Sequence, residues 1–195
     1  VSFIKSFNWL ETLEGGRSSL GLIAGILLTL GLFLPWYELS GNLEGGEVNW
    51  RVYPLWQDYN ENARTLFFPR WWFQPPSSSF LILQPIAIPI IVISALMKTW
   101  ARRALGLTIG TTLVMICIGG FVQGWTRLLV FSGLPSPGGE TLYDDSFIKS
   151  QWGLGIYISG VGLIFTILSA WLEIWRIITV LFKRAAEVLT KRPVS

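Results

Sequence analysis

Few residue types in this chain are equipped for chemistry, and their counts decide more than their positions. Among its 195 residues there is no histidine and a single cysteine, Cys117. Imidazole-bound haem or zinc, a Ser–His nucleophile and phosphohistidine transfer are thereby excluded. An internal disulfide and a CxxC redox pair are excluded as well. Glu140, Asp144 and Asp145 offer three carboxylates, but without the alternating spacing of a calcium loop they read as a solvated acidic turn. Gly153-Leu154-Gly155 belongs to no phosphate-binding pattern and reads as a packing element. The sequence points to no catalytic residue, no metal site, no cofactor and no nucleic acid.

The polar groups inside the long apolar stretches are equally sparse: Gln84, Gln123, Cys117, Ser94, Ser169 and several threonines. Proton relays and ion pathways need ionisable groups within the membrane, so ion-coupled transport is disfavoured. Glu173 and Arg176, three positions apart near the end of the last apolar stretch, read as a pair at headgroup level.

One ten-residue stretch stands apart. In FFPRWWFQPP, residues 67 to 76, Phe67, Phe68, Trp71, Trp72 and Phe73 surround Arg70, and Trp50 and Trp56 precede them in the same polar segment. Aromatic rings gather where a helix enters a bilayer, but one or two per end suffice. Trp, Tyr and Arg also dominate protein–protein hot spots. These eight residues are therefore candidates for docking a larger membrane partner.

The elements that would carry them are four apolar segments, at 18–36, 79–97, 104–126 and 152–175, each near the ~20 residues a helix needs to cross hydrocarbon. With 51% hydrophobic and 14% charged residues, against about 25% charged in soluble domains, the expected fold is an all-α integral membrane protein. It has four transmembrane helices in a single domain over residues 1–195. Lys5, Arg17, Lys98, Arg102, Arg103, Arg176, Lys183, Arg184, Lys191 and Arg192 flank one side, and Arg51, Arg64, Arg70, Arg127 and Lys149 the other. The positive-inside rule then places both termini in the cytoplasm and the loops 37–78 and 127–151 outside. Phe3, Phe7 and Leu10 near the start, and Ile178, Leu181, Val188 and Leu189 near the end, give amphipathic segments. They are expected to lie on the cytoplasmic surface, against anionic lipid.

Small residues four apart suggest tight helix seams: Gly21 and Gly25, Gly106 and Gly110, Gly120 and Gly124, Gly155 and Ser159. Pro85 and Pro89 are expected to kink the second helix. LGLIAGILL (20–28) and LGLTIGTTL (105–113) echo each other across two halves. In the first outer loop GNLEGGE reads as a turn and VNWRVYPLW has the composition of short strands, with Pro54 confining it to a sheet edge. This layout resembles the claudin-like one, in which a Trp after the first helix precedes a Gly-Leu-Trp and two disulfide-forming cysteines. Trp36 and Leu55-Trp56 stand at a similar spacing, whereas the Gly and both cysteines are missing. The leading functional expectation is a non-catalytic accessory or structural subunit of a larger membrane assembly, of the energy-converting (photosynthetic or respiratory) kind. Two alternatives stand beside it: a lipid or solute transporter working through the Pro85/Pro89 kink, and a claudin-like scaffold or adhesion protein.

Overall fold

Ser18 opens the first helix and Pro35 closes it. In a computed structural model, which describes residues 18–43, 46–61, 81–132, 140–143 and 146–190, helix α1 runs Ser19–Phe33. The extended Ser18 accepts a hydrogen bond from the Gly21 amide through its hydroxyl, meeting one of the donors a helix start leaves over. Proline forces the residue before it out of the helical region, and Leu34 is accordingly extended at φ −107°, ψ 146°. The indole of Trp36 then donates to the Gly31 carbonyl at 3.0 Å, satisfying a terminal acceptor that has no helical partner.

The chain continues as strands β1 (Tyr37–Leu43), β2 (Gly46–Val52) and β3 (Gln57–Tyr59), then helices α2 (Leu83–Leu96) and α3 (Trp100–Ser132). Strands β4 (Glu140–Tyr143) and β5 (Ser146–Trp152) follow, and helix α4 (Leu154–Thr190) ends the described residues. The strands form one antiparallel sheet in the order β3-β2-β1-β5-β4. Its central pair joins the two loops, with Tyr37 opposite Trp152 and Asn42 opposite Phe147.

The expectation of an all-α fold is therefore overturned. The reason is a period-two pattern: Tyr37, Leu39, Val48, Trp50 and Val52 are buried, while Ser40, Asn42, Glu47, Asn49 and Arg51 are exposed. Alternation of this kind specifies a half-buried strand. Strand β2 ends at Val52, before Pro54, so it sits inside the sheet rather than at its edge.

The expectation of four membrane spans is overturned too. Among the described residues two helices, over Trp100–Thr126 and Leu154–Glu187, are long and apolar enough to cross a membrane. Helices α1 and α2 have 15 and 14 residues, about 22 and 21 Å at the helical rise, short of the ~30 Å hydrocarbon core. Helix α4 is a single element of 37 residues, so its basic tail continues the helix instead of forming a separate surface segment. The N-terminal amphipathic segment lies outside the described residues.

Helix α1 packs on α2 and α4, and α3 on the same two helices, so the four close around a common interior. Ala24, Leu28, Ala87, Ile91, Leu107 and Val114 fill its middle. The sheet covers the end where α1 and α3 finish. Trp36, Tyr37, Leu39, Val48, Trp50 and Val52 meet Cys117, Phe121 and Trp125 of α3 there in a second core. Trp36 packs edge-on to Phe121 at 5.0 Å between ring centroids, and Tyr37 meets Trp125 at 4.8 Å.

The seam glycines divide. Added Cβ atoms would press on Ala95 at Gly21, on Val92 at Gly25, on Ser94 at Gly106 and on Ile91 at Gly110, and at Gly155 on the Leu34 carbonyl. Gly31, absent from the sequence reading, would press on Ser159. Gly124 has open space around it, and Gly120 is half-buried. Pro85 falls in the first turn of α2, where no amide donor is needed, and only Pro89 lies in the helix interior.

Two predictions follow from this packing. Gly110→Leu should lower stability in detergent by roughly 1–3 kcal/mol, the usual cost of overpacking, whereas Gly124→Leu should melt within error of the parent. The second concerns Tyr37, which is fully buried. Burial pushes its phenol up to about 12, outweighing the opposing pull of Ser150 and Trp125. The neutral phenol is the form the fold prefers, so its contribution is complete below pH 10 and is lost as pH rises from 10 to 12. Stability should fall by on the order of 2 kcal/mol over that window. Tyr37→Phe should flatten this part of the profile of melting temperature against pH.

Candidate functional site

Polar groups collect at three levels of the molecule. On the outer face of the sheet, register brings Arg51 opposite both Glu38 and Asp58. Arg51 Nε lies 3.7 Å from Glu38 Oε1, and Gln151 Nε2 donates to Glu38 Oε2 at 2.8 Å. Asn49, Arg51, Asp58 and Asn60 line a shallow groove of about 260 Å³. Solvent weakens such exposed pairs to ~0–1 kcal/mol each. They set a polar, internally charge-matched platform rather than a reactive centre.

At the rim of this platform the sequence-predicted docking residues separate. Trp50 is 1% exposed and belongs to the core beneath the sheet, 5.2 Å from Trp125 between ring centroids. It cannot meet a partner. Trp56 stacks on Tyr53 at 4.6 Å and remains 42% exposed beside Leu55 and Phe33. Phe67, Phe68, Arg70, Trp71, Trp72 and Phe73 lie outside the described residues.

In the first turn of α2, toward the sheet end of the helices, the fully buried Gln84 donates through Nε2 to the Leu28 carbonyl at 2.8 Å and to Ser159 Oγ at 3.1 Å. This amide pins α2 to α1 and α4, and its Oε1 has no hydrogen-bond partner among the described residues.

The foot of the helices carries a group that sequence reasoning missed. Arg103 Nη1 lies 3.1 Å from Glu173 Oε1, with side-chain exposures of 0% and 2%. Arg176, half exposed, reaches the same oxygen at 3.1 Å. The sequence reading places Arg103 among the basic residues that flank the spans, outside the 104–126 segment. It instead occupies the first turn of α3, where its Nη2 also donates to the Lys98 carbonyl. The signal was available. Arg103 continues the inward stripe of Leu107, Gly110, Val114, Cys117, Phe121 and Trp125 at spacings of three and four. Next to the pair, Ser18 and Ser169 share a hydroxyl–hydroxyl bond of 2.6 Å.

Breaking and replacing this pair should give opposite results. Glu173→Ala leaves a buried guanidinium without its carboxylate and should cost about 3–5 kcal/mol. The double change Arg103→Met, Glu173→Leu should recover most of that loss, since apolar residues of similar volume often serve as well. Thermal unfolding of the two variants in one detergent decides it. Among the described residues no group of three or more His, Cys, Asp or Glu side chains is placed to hold a metal ion. No protein-family model matches this chain, and neither does any curated protein sequence.

Proposed function

We propose that the protein is a membrane-embedded, non-catalytic structural subunit that holds a rigid sheet outside the bilayer for contact with another membrane protein. The observation that carries this is an inverted distribution of polarity. Gln84, Ser94, Arg103, Ser159, Thr166, Ser169 and Glu173 are buried among the helices. Ile26, Phe33, Ile93, Leu105, Ile164, Trp171 and Trp175 face outward. Water would penalise an apolar surface of that extent, and lipid would not. Outward hydroxyls fit the same medium: Thr112 and Thr126 each donate to the carbonyl four residues earlier in their own helix.

In this reading α3 and α4 cross the membrane in opposite directions, and α1 and α2 add to the same apolar surface. Lys98, Arg102, Arg103, Arg176, Lys183 and Arg184 cluster at the foot, which is therefore the cytoplasmic side. The C-terminal end of α4 and the entry to α1 belong to that side, and the sheet faces outward. Without histidine or a cysteine pair the outer platform carries neither an imidazole base nor a dithiol, and the service proposed for it is shape and hydrogen bonding. Its apolar rim at Leu55 and Trp56 supplies the aromatic anchor such a contact needs.

The test is extraction of the native membrane in a mild detergent, followed by co-purification and a melting curve. The protein should travel in a larger complex. Leu55→Ala with Trp56→Ala should release it, reducing affinity about thirtyfold or more if the pair is worth ~2 kcal/mol or more, while its melting temperature changes little. Wild-type protein that elutes alone, or a double variant that stays in the complex, removes the docking reading.

A further inference from the structure

Past the buried ion pair, α4 outruns the other described helices. Helix α1 packs along it as far as Ser18, whose hydroxyl meets that of Ser169. From Ile174 to Glu187 no residue of α4 is buried, and this stretch adds about 21 Å of helix. The buried stripe of α4 that meets α1 holds Gly155, Ser159, Gly162 and Ser169. Carried on at spacings of three and four, it reaches Ile177, Val180 and Arg184. Ile177 and Val180 are half-buried, and Leu181 beside them is 44% exposed. A run of apolar side chains without a neighbouring element marks a contact surface.

We infer that residues 2–14 of this same chain, which lie outside the described residues, pack antiparallel along this extension of α4. Continuity with the α1–α4 interface names that occupant. Contacts there pair Gly31 with Ser159, Leu28 with Gly162 and Gly21 with Ser169, so the paired numbers add to 190 each time. Gly15, Gly16 and Arg17 alone separate Glu14 from Ser18. They allow at most about 14 Å of chain, which holds residue 14 at the foot of α4. Length and pattern agree with this placement. Phe3, Phe7, Leu10 and Leu13 recur at spacings of three and four, and a helix over residues 2–14 would be ~20 Å long, matching the bare stretch. A helix that short is marginal in water and draws its stability from packing its apolar stripe.

Charge order agrees as well. Carried past Ser18, the same pairing sets Leu13 level with Ile177, Leu10 with Val180 and Glu14 with Arg176. Glu11 then falls between Arg176 and Lys183, and Lys5 toward the end that holds Glu187. Arg176 is half exposed and gives one donor to Glu173, so its guanidinium keeps others for a second carboxylate.

The experiment uses the full chain in detergent, carrying Cys117→Ala so that every thiol is an introduced one. Leu10→Cys with Val180→Cys, oxidised by copper phenanthroline, should form an intrachain disulfide, read by mass spectrometry as one linked peptide pair. Leu10→Cys with Phe182→Cys, on the opposite side of α4, should link about tenfold less, because two residues turn the helix through roughly 200°. Equal yields from the two pairs, or none from either, overturn the inference. A covalent dimer gives the face to a second copy and overturns it too. In vesicles of phosphatidylcholine and phosphatidylglycerol, a fluorophore on Leu10→Cys should escape quenching by brominated lipid. Strong quenching puts the segment on the bilayer instead and overturns the docking. Hydrogen exchange supplies a readout without cysteines. Helix without tertiary cover opens readily, so amides of residues 177–187 should exchange severalfold faster once residues 2–14 are deleted. Unchanged exchange in that variant also refutes the packing.

Discussion

The outer half of the structure depends on two residues that belong to neither a helix nor a strand. Pro35 and Trp36 stand where α1 gives way to β1, and three hydrogen bonds, shared with β2 and with the entry to α4, converge on them. The Trp36 amide donates to Val52 of β2 at 2.7 Å, and the Trp36 and Pro35 carbonyls accept from Gly153 and Gly155 at 2.9 and 2.8 Å. The Trp36 ring lies against Phe121 of α3. A Cβ at Gly153 would overlap the Pro35 carbonyl, so the start of α4 can approach this closely only with glycine there. One junction thus fixes the end of α1, the register of the sheet and the entry of α4. Without it the sheet would be held to the helices by its loops and by side-chain packing on α3 alone.

What the sequence shows plainly is set by forces that act over one helical turn. The serine cap before α1, the proline after it and the long apolar runs of α3 and α4 are all local, and all are legible. The sheet is less so, because hydropathy averaged over a span-length window hides a period of two. YELSGNL and GEVNWRV alternate well enough to be read as strands, but β5, the second partner of β1, lies more than a hundred residues away. The aromatic residues mislead for a related reason. Trp50 and Trp56 are alike in composition and near in sequence, yet six positions apart across a strand end separates a core residue from a rim residue.

The buried ion pair is the sharpest discrepancy between the two readings. A count of charges within apolar stretches sees none at depth, since Arg103 falls just outside the 104–126 stretch and Glu173 near the end of the 152–175 one. Helical phase says otherwise. Both occupy the inward stripes of their helices, at the same end, with opposite sign, and such residues either meet each other or meet water. Gln84 solves a similar problem at the opposite end of the helices with neutral chemistry, bonding to a helix carbonyl and to Ser159. The molecule therefore places its polar side chains where they tie one helix to the next, which is how cohesion is obtained when the surroundings are as apolar as the core.

The central position of β1 carries a consequence for biosynthesis. Tyr37 pairs with Trp152, 115 residues later in the chain by subtraction. At roughly 5–20 residues per second of synthesis, β1 emerges ~5–25 s before its second neighbour exists. For that interval the strand has β2 on one side and an open hydrogen-bonding edge on the other, the feature that invites pairing with foreign chains. Its solvent face, Glu38, Ser40 and Asn42 with Gly41 between them, is charged or polar and poor in β-branched residues, the composition least suited to recruiting such a partner. The waiting edge is protected by its own side chains until the second hairpin arrives.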